Sequence, residues 1–368
     1  MDRRSFLKAT TSLSAAGALS QWPVLARAQS APWSEGTRWR KFEVTTRIEV
    51  AKPDGVSKVW LPLPLAVDTT WQRTFDNSWS GNATVARLVP LPQHNAALLH
   101  AEWRAGTEQP AIEVVSRFAT RDRAVDWARP GKAEPVEEAV LARYLAPTED
   151  IPTDGIVRDT ALKATKGAGD DISKARAIYQ WIVNNTFRNP KTRGCGIGDV
   201  KAMLESGNLG GKCADLSALF VGLARAVGVP ARDVYGIRVA PSQWGYKSLG
   251  AGSSDITRAQ HCRAEFYSHA YGWVPVDPAD VRKVILEEPP GNLSVLDSKV
   301  RLARAKLFGA WEMNWIAYNF AQDLQLPGST SAKLRFLMYP QCETALGRKD
   351  SLDPDHFKYQ ISSREITA

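Results

Sequence analysis

"GGKCADLSALFVGLARAVGVPAR", residues 210–232, sets a thiol at the point where loop turns into helix. Leu216, Leu219, Phe220, Leu223 and Val227 recur at i, i+3, i+4, i+7 and i+11, which is one stripe of a helix. Gly228 is a natural stop and Pro230 forbids continuation, so the helix begins at or beside Cys213. A thiol there meets the positive end of the helix dipole and unpaired backbone N–H groups, and both favour thiolate. Gly210 and Gly211 let a second backbone approach closely. Taken alone, a cysteine at a helix start is more often core filling than a nucleophile. The reading turns on whether a base can reach it.

The chain holds five histidines: His94, His100, His261, His269 and His356. Two fall in the N-terminal part and one near the end, which leaves the stretch "QHCRAEFYSHAYGWVPVDP", residues 260–278. Read as a hairpin in which Tyr267 faces Tyr271, it sets Glu265 against Trp273, Arg263 against Pro275 and His261 against Asp277. Directly opposed residues share a face with Cβ atoms ~4.5–5.5 Å apart, so imidazole and carboxylate meet. A slip of one residue on a single strand would separate them. His269 falls at the turn tip as a solvated residue, and Cys262 points to the opposite face, into the core beside Ala264 and Phe266.

A cysteine, a histidine and an aspartate in this order permit acyl transfer. The imidazole takes the thiol proton, the thiolate attacks an amide carbonyl, and the carboxylate orients the imidazole and stabilises its charged form. The oxyanion needs two donors. The backbone N–H of Cys213 is the first candidate and Asn208, just upstream, the second.

Around this centre the patterning is α+β. Residues 37 to 121 read as short strands, "FEVTTRIEV", "VSKVWLPLPL", "ATVARLVPL", "ALLHAEWRA" and "AIEVVSRFATR", and suggest a β-sandwich-like domain over 29–130. Trp33, Trp39, Trp60, Trp71, Trp79 and Trp103 lie there; a carbohydrate platform is conceivable, but core and edge packing is the commoner use. A Pro-punctuated connector with one short helix follows. The catalytic unit is drawn over 131–290, with "DDISKARAIYQWIVNNTF" capped by Asp170 or Asp171, the short helix "GDVKAMLESG", and strands "DVYGIRVA", "HCRAEFYS" and "GWVPVDPA". The long loop before His261 is positioned to gate the pocket. Residues 291–368 read as an aromatic helix, "AWEMNWIAYNFAQDL", then late strands "LRFLMYP" and "FKYQISSREI", all packed on the core.

Composition bounds the partners. The chain has 368 residues, 44% hydrophobic, with a formal charge of +8. Residues 1–28 carry Arg3 and Arg4, then Phe6-Leu7-Lys8, a weakly apolar stretch and Ala26-Arg27-Ala28, the pattern of a twin-arginine export signal. It predicts export by the twin-arginine translocase to the periplasm. No later run of ~18 apolar residues exists to hold the mature chain in a membrane. Basic residues are scattered among acidic ones, without the runs that track phosphates, so nucleic acid is not an expected partner. Cys195, Cys213, Cys262 and Cys342 are too few for a disulfide framework, and Cys195 is read as a free buried thiol. No C-x-x-C or clustered Cys/His spacing suggests a metal, and thiol acyl transfer requires no cofactor.

Together, G-x-C before a helix ending R-x-x-G-x-P-A-R (Arg225 to Arg232), then H-x-x-x-E-x-Y (His261 to Tyr267) and G-W-V-P-x-D-P (Gly272 to Pro278), resemble the bacterial branch of the transglutaminase-like superfamily. The resemblance spans roughly residues 170–285. It implies a papain-like core with Cys213 as nucleophile, His261 as base and Asp277 as orienting acid. One departure is His261-Cys262-Arg263, where many relatives read H-A-W. The expected activity is hydrolysis of a protein or peptide amide, envelope proteins or peptidoglycan peptides included; crosslinking to amines is the alternative within the same chemistry. From a different class, a non-catalytic envelope protein- or glycan-binding module stays open, as, more weakly, does a redox role for Cys195 and Cys213.

Overall fold

A computed structural model describes residues 38–131, 133 and 135–366. The export-signal reading, and Trp33 with it, lies outside the described residues. Six strands open the chain: β1 (Arg40–Glu49), β2 (Ser57–Pro62), β3 (Gln72–Gly81), β4 (Val85–Leu91), β5 (Ala96–Trp103) and β6 (Ala111–Thr120). The short β7 (Arg123–Ala124) leads to α1 (Glu138–Arg143), α2 (Gly155–Ala164) and α3 (Asp171–Asn185). Asp170 caps α3, accepting the Ser173 N–H at 2.8 Å. Then come β8 (Phe187–Arg188), α4 (Val200–Ser206), β9 (Gly210–Gly211), α5 (Cys213–Ala226), β10 (Ala231–Arg238), β11 (Gln260–Ser268), β12 (Gly272–Val276), α6 (Pro278–Glu287) and α7 (Ser298–Lys306). The chain closes with β13 (Ala310–Trp311), β14 (Trp315–Asn319), β15 (Gln322–Leu324), β16 (Leu334–Phe336), β17 (Gln341–Thr344), β18 (Gly347–Lys349) and β19 (Lys358–Ile366). Among the described residues no helix is long and apolar enough to cross a membrane.

The protein is α+β, a central sheet with helices packed on it and additional sheet-rich regions. The central sheet runs β12-β11-β10-β14, all antiparallel. Helix α5 lies along one face, buried over Cys213 to Arg225, where Leu219, Phe220 and Leu223 pack with Ala264, Phe266 and the apolar residues of α2, α3 and α6. Its expected start at Cys213 and stop before Gly228 are as the stripe predicts. The opposite face, with Val234, Trp315 and Ala317, is covered by Leu65, Trp71, Trp311 and Met313, while on the α5 face Ile237 and Ile316 pack with Phe42, Val44, Phe118 and Ile361 of the sheet β19-β1-β6-β3. That sheet in turn encloses a second apolar cluster, Ile48, Ile112 and Val114 against Val59, Leu61 and Leu99, with the sheet β18-β17-β2-β5-β4. Trp60, Trp71 and Trp103 are buried and Trp39 lies under Arg73 and Arg121, so these rings go mainly into packing.

Three expectations need correction. The stretch read as an aromatic helix, 310–324, forms β13, β14 and β15, with β14 as an outer strand of the central sheet beside β10. Trp311, Met313, Trp315, Ile316, Ala317 and Tyr318 are all buried, and a segment apolar all round suits a strand covered on both faces. The closing segment does not belong to the core alone: β17 pairs with β2, and β19 pairs with the full length of β1. The boundary at residue 290 therefore divides sheets that the chain's two ends build together. The hairpin register is shifted by two: Ser268 faces Gly272, Tyr267 faces Trp273 and Glu265 faces Pro275. Gly272 takes φ +69°, a conformation open to glycine, and the three-residue turn closes one residue further along the chain than the tyrosine pairing assumed. A shift of two keeps every side chain on its face.

Candidate active site

The first turn of α5 is clamped from outside. Asp215, one turn in, accepts backbone N–H groups from Ile197 (3.0 Å), Gly198 (3.0 Å) and Lys212 (2.9 Å). The loop passes so close that a Cβ on Gly196 would sit 1.9 Å from Asp215 Oδ2. The Cys195 carbonyl accepts Ala214 N–H at 2.9 Å, and the Cys195 N–H donates to the Tyr339 hydroxyl at 2.9 Å. These bonds hold Cys213 at the helix N-terminus, facing a cleft of about 1150 Å³ that His261, Cys195, Lys212 and Tyr339 also line.

The structure brings Cys213, His261 and Asp277 together. His261 opens β11, and its Nε2 lies 2.8 Å from Asp277 Oδ2, leaving Nδ1 for the thiol. Asp277 does not sit in the strand; it caps α6, its Oδ1 accepting Asp280 N–H at 2.8 Å, with Pro278 as the first helical residue. Sequence reading missed Asp280. Its Oδ2 lies 3.4 Å from His261 Nε2, and Arg238 grips both its oxygens at 2.6 and 2.8 Å. The spacing D-P-A-D, a helix cap followed by an acid on the third residue, was the signal available for it. Arg238 reaches the site from the end of β10 and left no mark in the sequence.

Burial and Arg238 push the His261 imidazole down, but Asp280 and Asp277 outweigh them and raise it to about 10. Hydrogen bonding from Cys195 and Cys262, with a further bond from His261, holds the Cys213 thiol well below its ordinary range against the cost of burial. Conversely, the hydrogen bond to Cys213 pushes Cys195 up, and burial followed by the bond to Cys213 does the same for Cys262. These directions favour a Cys213 thiolate beside a charged His261, with Cys195 and Cys262 as thiol donors to the sulfur. Cys262 points to the face opposite His261, as expected, and packs with Cys195, Cys213, Tyr235 and Met338 at the Cys213 end of α5. Cys195 is free and buried, but it lies against Cys213, as its sequence position did not suggest.

Asn208 is not drawn in. It is exposed in the loop after α4, accepts Gly210 N–H at 3.2 Å and is not among the cleft-lining residues, so the oxyanion role expected of it is withdrawn. His269 is exposed at the turn, 3.8 Å from Asp171. His261, Asp277 and Asp280 place ligand atoms within 4.8 Å of one another, a spacing open to a cation. A cation there would have to displace Arg238 from Asp280 and the α6 N-terminus from Asp277, so these donors fit a proton-holding cluster better than a metal centre.

The sequence profile described as the transglutaminase-like superfamily matches residues 158–278, a span that holds Cys213, His261 and Asp277. The chain belongs to this superfamily. An uncharacterized protein of Haemophilus influenzae is 34% identical over 96% of the chain and 99% of its own length. Two solved structures are more distant. A protein from Cytophaga hutchinsonii, proposed to be a cysteine protease, is 16% identical over 89% of this chain and 98% of its own, with a TM-score of 0.49. The periplasmic domain of TgpA from Pseudomonas aeruginosa is 17% identical over 67% of this chain and 91% of its own, with a TM-score of 0.33. The superfamily's motif residues divide into two kinds here. Cys213, His261 and Asp277 face one another, whereas buried Arg225 and Glu265 and half-buried Arg232 are taken up in structural bonds, Arg225 Nε to Ala231 O at 2.9 Å and Arg232 Nε to Glu265 Oε1 at 2.6 Å.

Proposed function

We propose that this protein is a thiol enzyme that hydrolyses amide bonds in a protein or peptide through an acyl-enzyme on Cys213. The observation that carries the reading is Cys213 at the N-terminus of α5 sharing a cleft with His261, whose Nε2 is held 2.8 Å from Asp277 Oδ2. The Cys213 thiolate attacks the carbonyl carbon, and the oxyanion forms against the Cys213 backbone N–H, which has no acceptor within the helix. His261 then gives its proton to the leaving amine, and the C–N bond breaks to leave a thioester. Water adds to the thioester while His261 takes its proton; the acid departs and the thiolate–imidazolium pair returns. Asp277 keeps the imidazole oriented throughout, and Asp280 adds a second negative charge to its cationic form.

Water is favoured as acceptor because the cleft borders exposed Gly252, Ser253, Arg258 and Gln360, not a closed apolar tunnel. The N-terminal twin arginine supports a periplasmic site of action after export by the twin-arginine translocase, which mass analysis of the mature N-terminus tests. The central test is alkylation of Cys213 by iodoacetamide against pH, in the parent and in His261→Ala. Rapid labelling well below pH ~8.5 that is lost in the variant is the expected result. An ordinary thiol profile in both would sink the proposal and favour a binding module. Product analysis with and without a primary amine then separates hydrolysis from crosslinking.

A further inference from the structure

The cleft around Cys213 is charged on one side of the ledger only. Its walls present Arg188, Arg193, Lys212, Arg258, Lys283 and Lys358, with Asp255 as the one carboxylate lining it and Arg238 deeper by the imidazole. Some of these cations have partners: Arg188 and Lys283 share the single carboxylate of Glu287, Arg193 pairs with Asp350, Arg238 with Asp280, and Lys358 with Glu49 at 3.6 Å. Lys212 and Arg258 form no ion pair among the described residues. The excess is local, because over the whole chain basic residues outnumber acidic ones by 47 to 39.

The cations flank the nucleophile on two sides. Lys212 precedes Cys213, Arg188 sits on the strand paired with Gly211, and Lys283 lies two turns into α6. Across the cleft Arg258 stands in the loop before His261 and Lys358 at the start of β19. Lys283 is half-buried, and burial first, then Arg188 and Arg238, push its ammonium down against the pull of Glu287. A positive field set in low-dielectric walls concentrates anions and repels cations. The thiolate accounts for part of it, but Arg258 and Lys358 do not figure among the groups that make Cys213 acidic.

We infer that the acyl donor is an acidic peptide, one carrying Asp or Glu carboxylates on both sides of the amide that meets Cys213. This inference rests on the proposed thiol chemistry, since an amide must reach the sulfur. Tyr339, Leu352, Phe357 and Tyr359 supply apolar surface between the cations, which suits a peptide backbone with intervening side chains better than a uniform polyanion.

Two measurements on the full chain test it. The first compares alkylation of Cys213 by iodoacetate, an anion, with alkylation by neutral iodoacetamide, each normalised to glutathione. The absolute iodoacetamide rate reports the thiol reading, and the ratio reports the cleft. The ratio is expected to exceed that of glutathione by about tenfold, to collapse near 1 M NaCl where the screening length is ~3 Å, and to fall in the double variant Arg258→Gln, Lys358→Gln with the iodoacetamide profile unchanged. The second measures binding of short fluorescein-labelled peptides, acidic, neutral and basic, to Cys213→Ala. Tighter binding of the acidic peptide, weakened by the same double variant, supports the inference. A ratio equal to that of glutathione, or acidic and neutral peptides bound alike, overturns it, as does equal capture of a sulfated polysaccharide.

Discussion

One strand carries two buried charge clusters that behave differently. On β11, Glu265 and His261 lie four residues apart on the same face, and each is surrounded by opposite charge. Glu265 meets Arg123 at 2.5 Å and Arg232 at 2.6 Å, and Arg232 stacks between Trp273 and Phe320 at 3.9 and 3.8 Å. One carboxylate against two guanidiniums is held low and has no proton to exchange near neutral pH. It ties β11 to β7 and β10. The His261 cluster is composed differently, two carboxylates against Arg238, Arg263 and an imidazole, with the cleft beside it. The lesson is that burial and charge pairing are common to both, and a group that can titrate, open to the cleft, is what separates a working cluster from a brace.

Variants can break that contrast. The largest effect is expected from His261→Ala: amide hydrolysis falls at least about 10³-fold, and Cys213 alkylation reverts to an ordinary thiol profile. Glu265→Ala should do the opposite. It strands two buried guanidiniums, costing about 3–5 kcal/mol in chemical denaturation, with the alkylation profile of the folded protein retained. A protein whose Cys213 loses its acidity on Glu265→Ala would dissolve the distinction.

Asp280→Asn sharpens it. Removing one of the two charges that raise His261 brings the imidazole down from about 10, so the alkaline limb of the rate profile moves to lower pH. The linkage sign is that of a group raised on folding: its stabilisation is complete below the unfolded value of about 6.5 and is lost as pH rises through about 10. Denaturation midpoints of the parent should therefore decline over that window, and less so in Asp280→Asn. Cys195→Ser should be milder, because Cys195 is the leading donor to the Cys213 sulfur but one of three. The acid limb of alkylation shifts upward with a rate change within about tenfold. The smallest effect is assigned to the loop before His261. Its first half is pinned by Glu312, Glu288 and Arg238, and only Gly252 to Asp255 form an exposed tip. Nicking at that tip is expected to alter substrate turnover, as gating requires, and to leave iodoacetamide labelling alone. Unchanged turnover would remove the gate.

The sequence by itself determined the parts governed by local rules: the start of α5 at Cys213, the Asp170 cap, the strands of the core and the face shared by His261 and Asp277. His261 and Asp277 meet although Asp277 caps α6, because a register error of two leaves His261 on its face, while a slip of one would have lost it. Composition could not show that 310–324 is extended, since a run rich in buried aromatic and aliphatic residues fits a buried helix as well as a covered strand until its neighbours are known. Nor could spacing bring Cys195, Cys262, Asp280 and Arg238 to the nucleophile, or return β19 to β1 across the whole chain. Those are long-range contacts, and tertiary packing alone decides them, because what selects each partner is the burial and charge balance of a site assembled from distant segments.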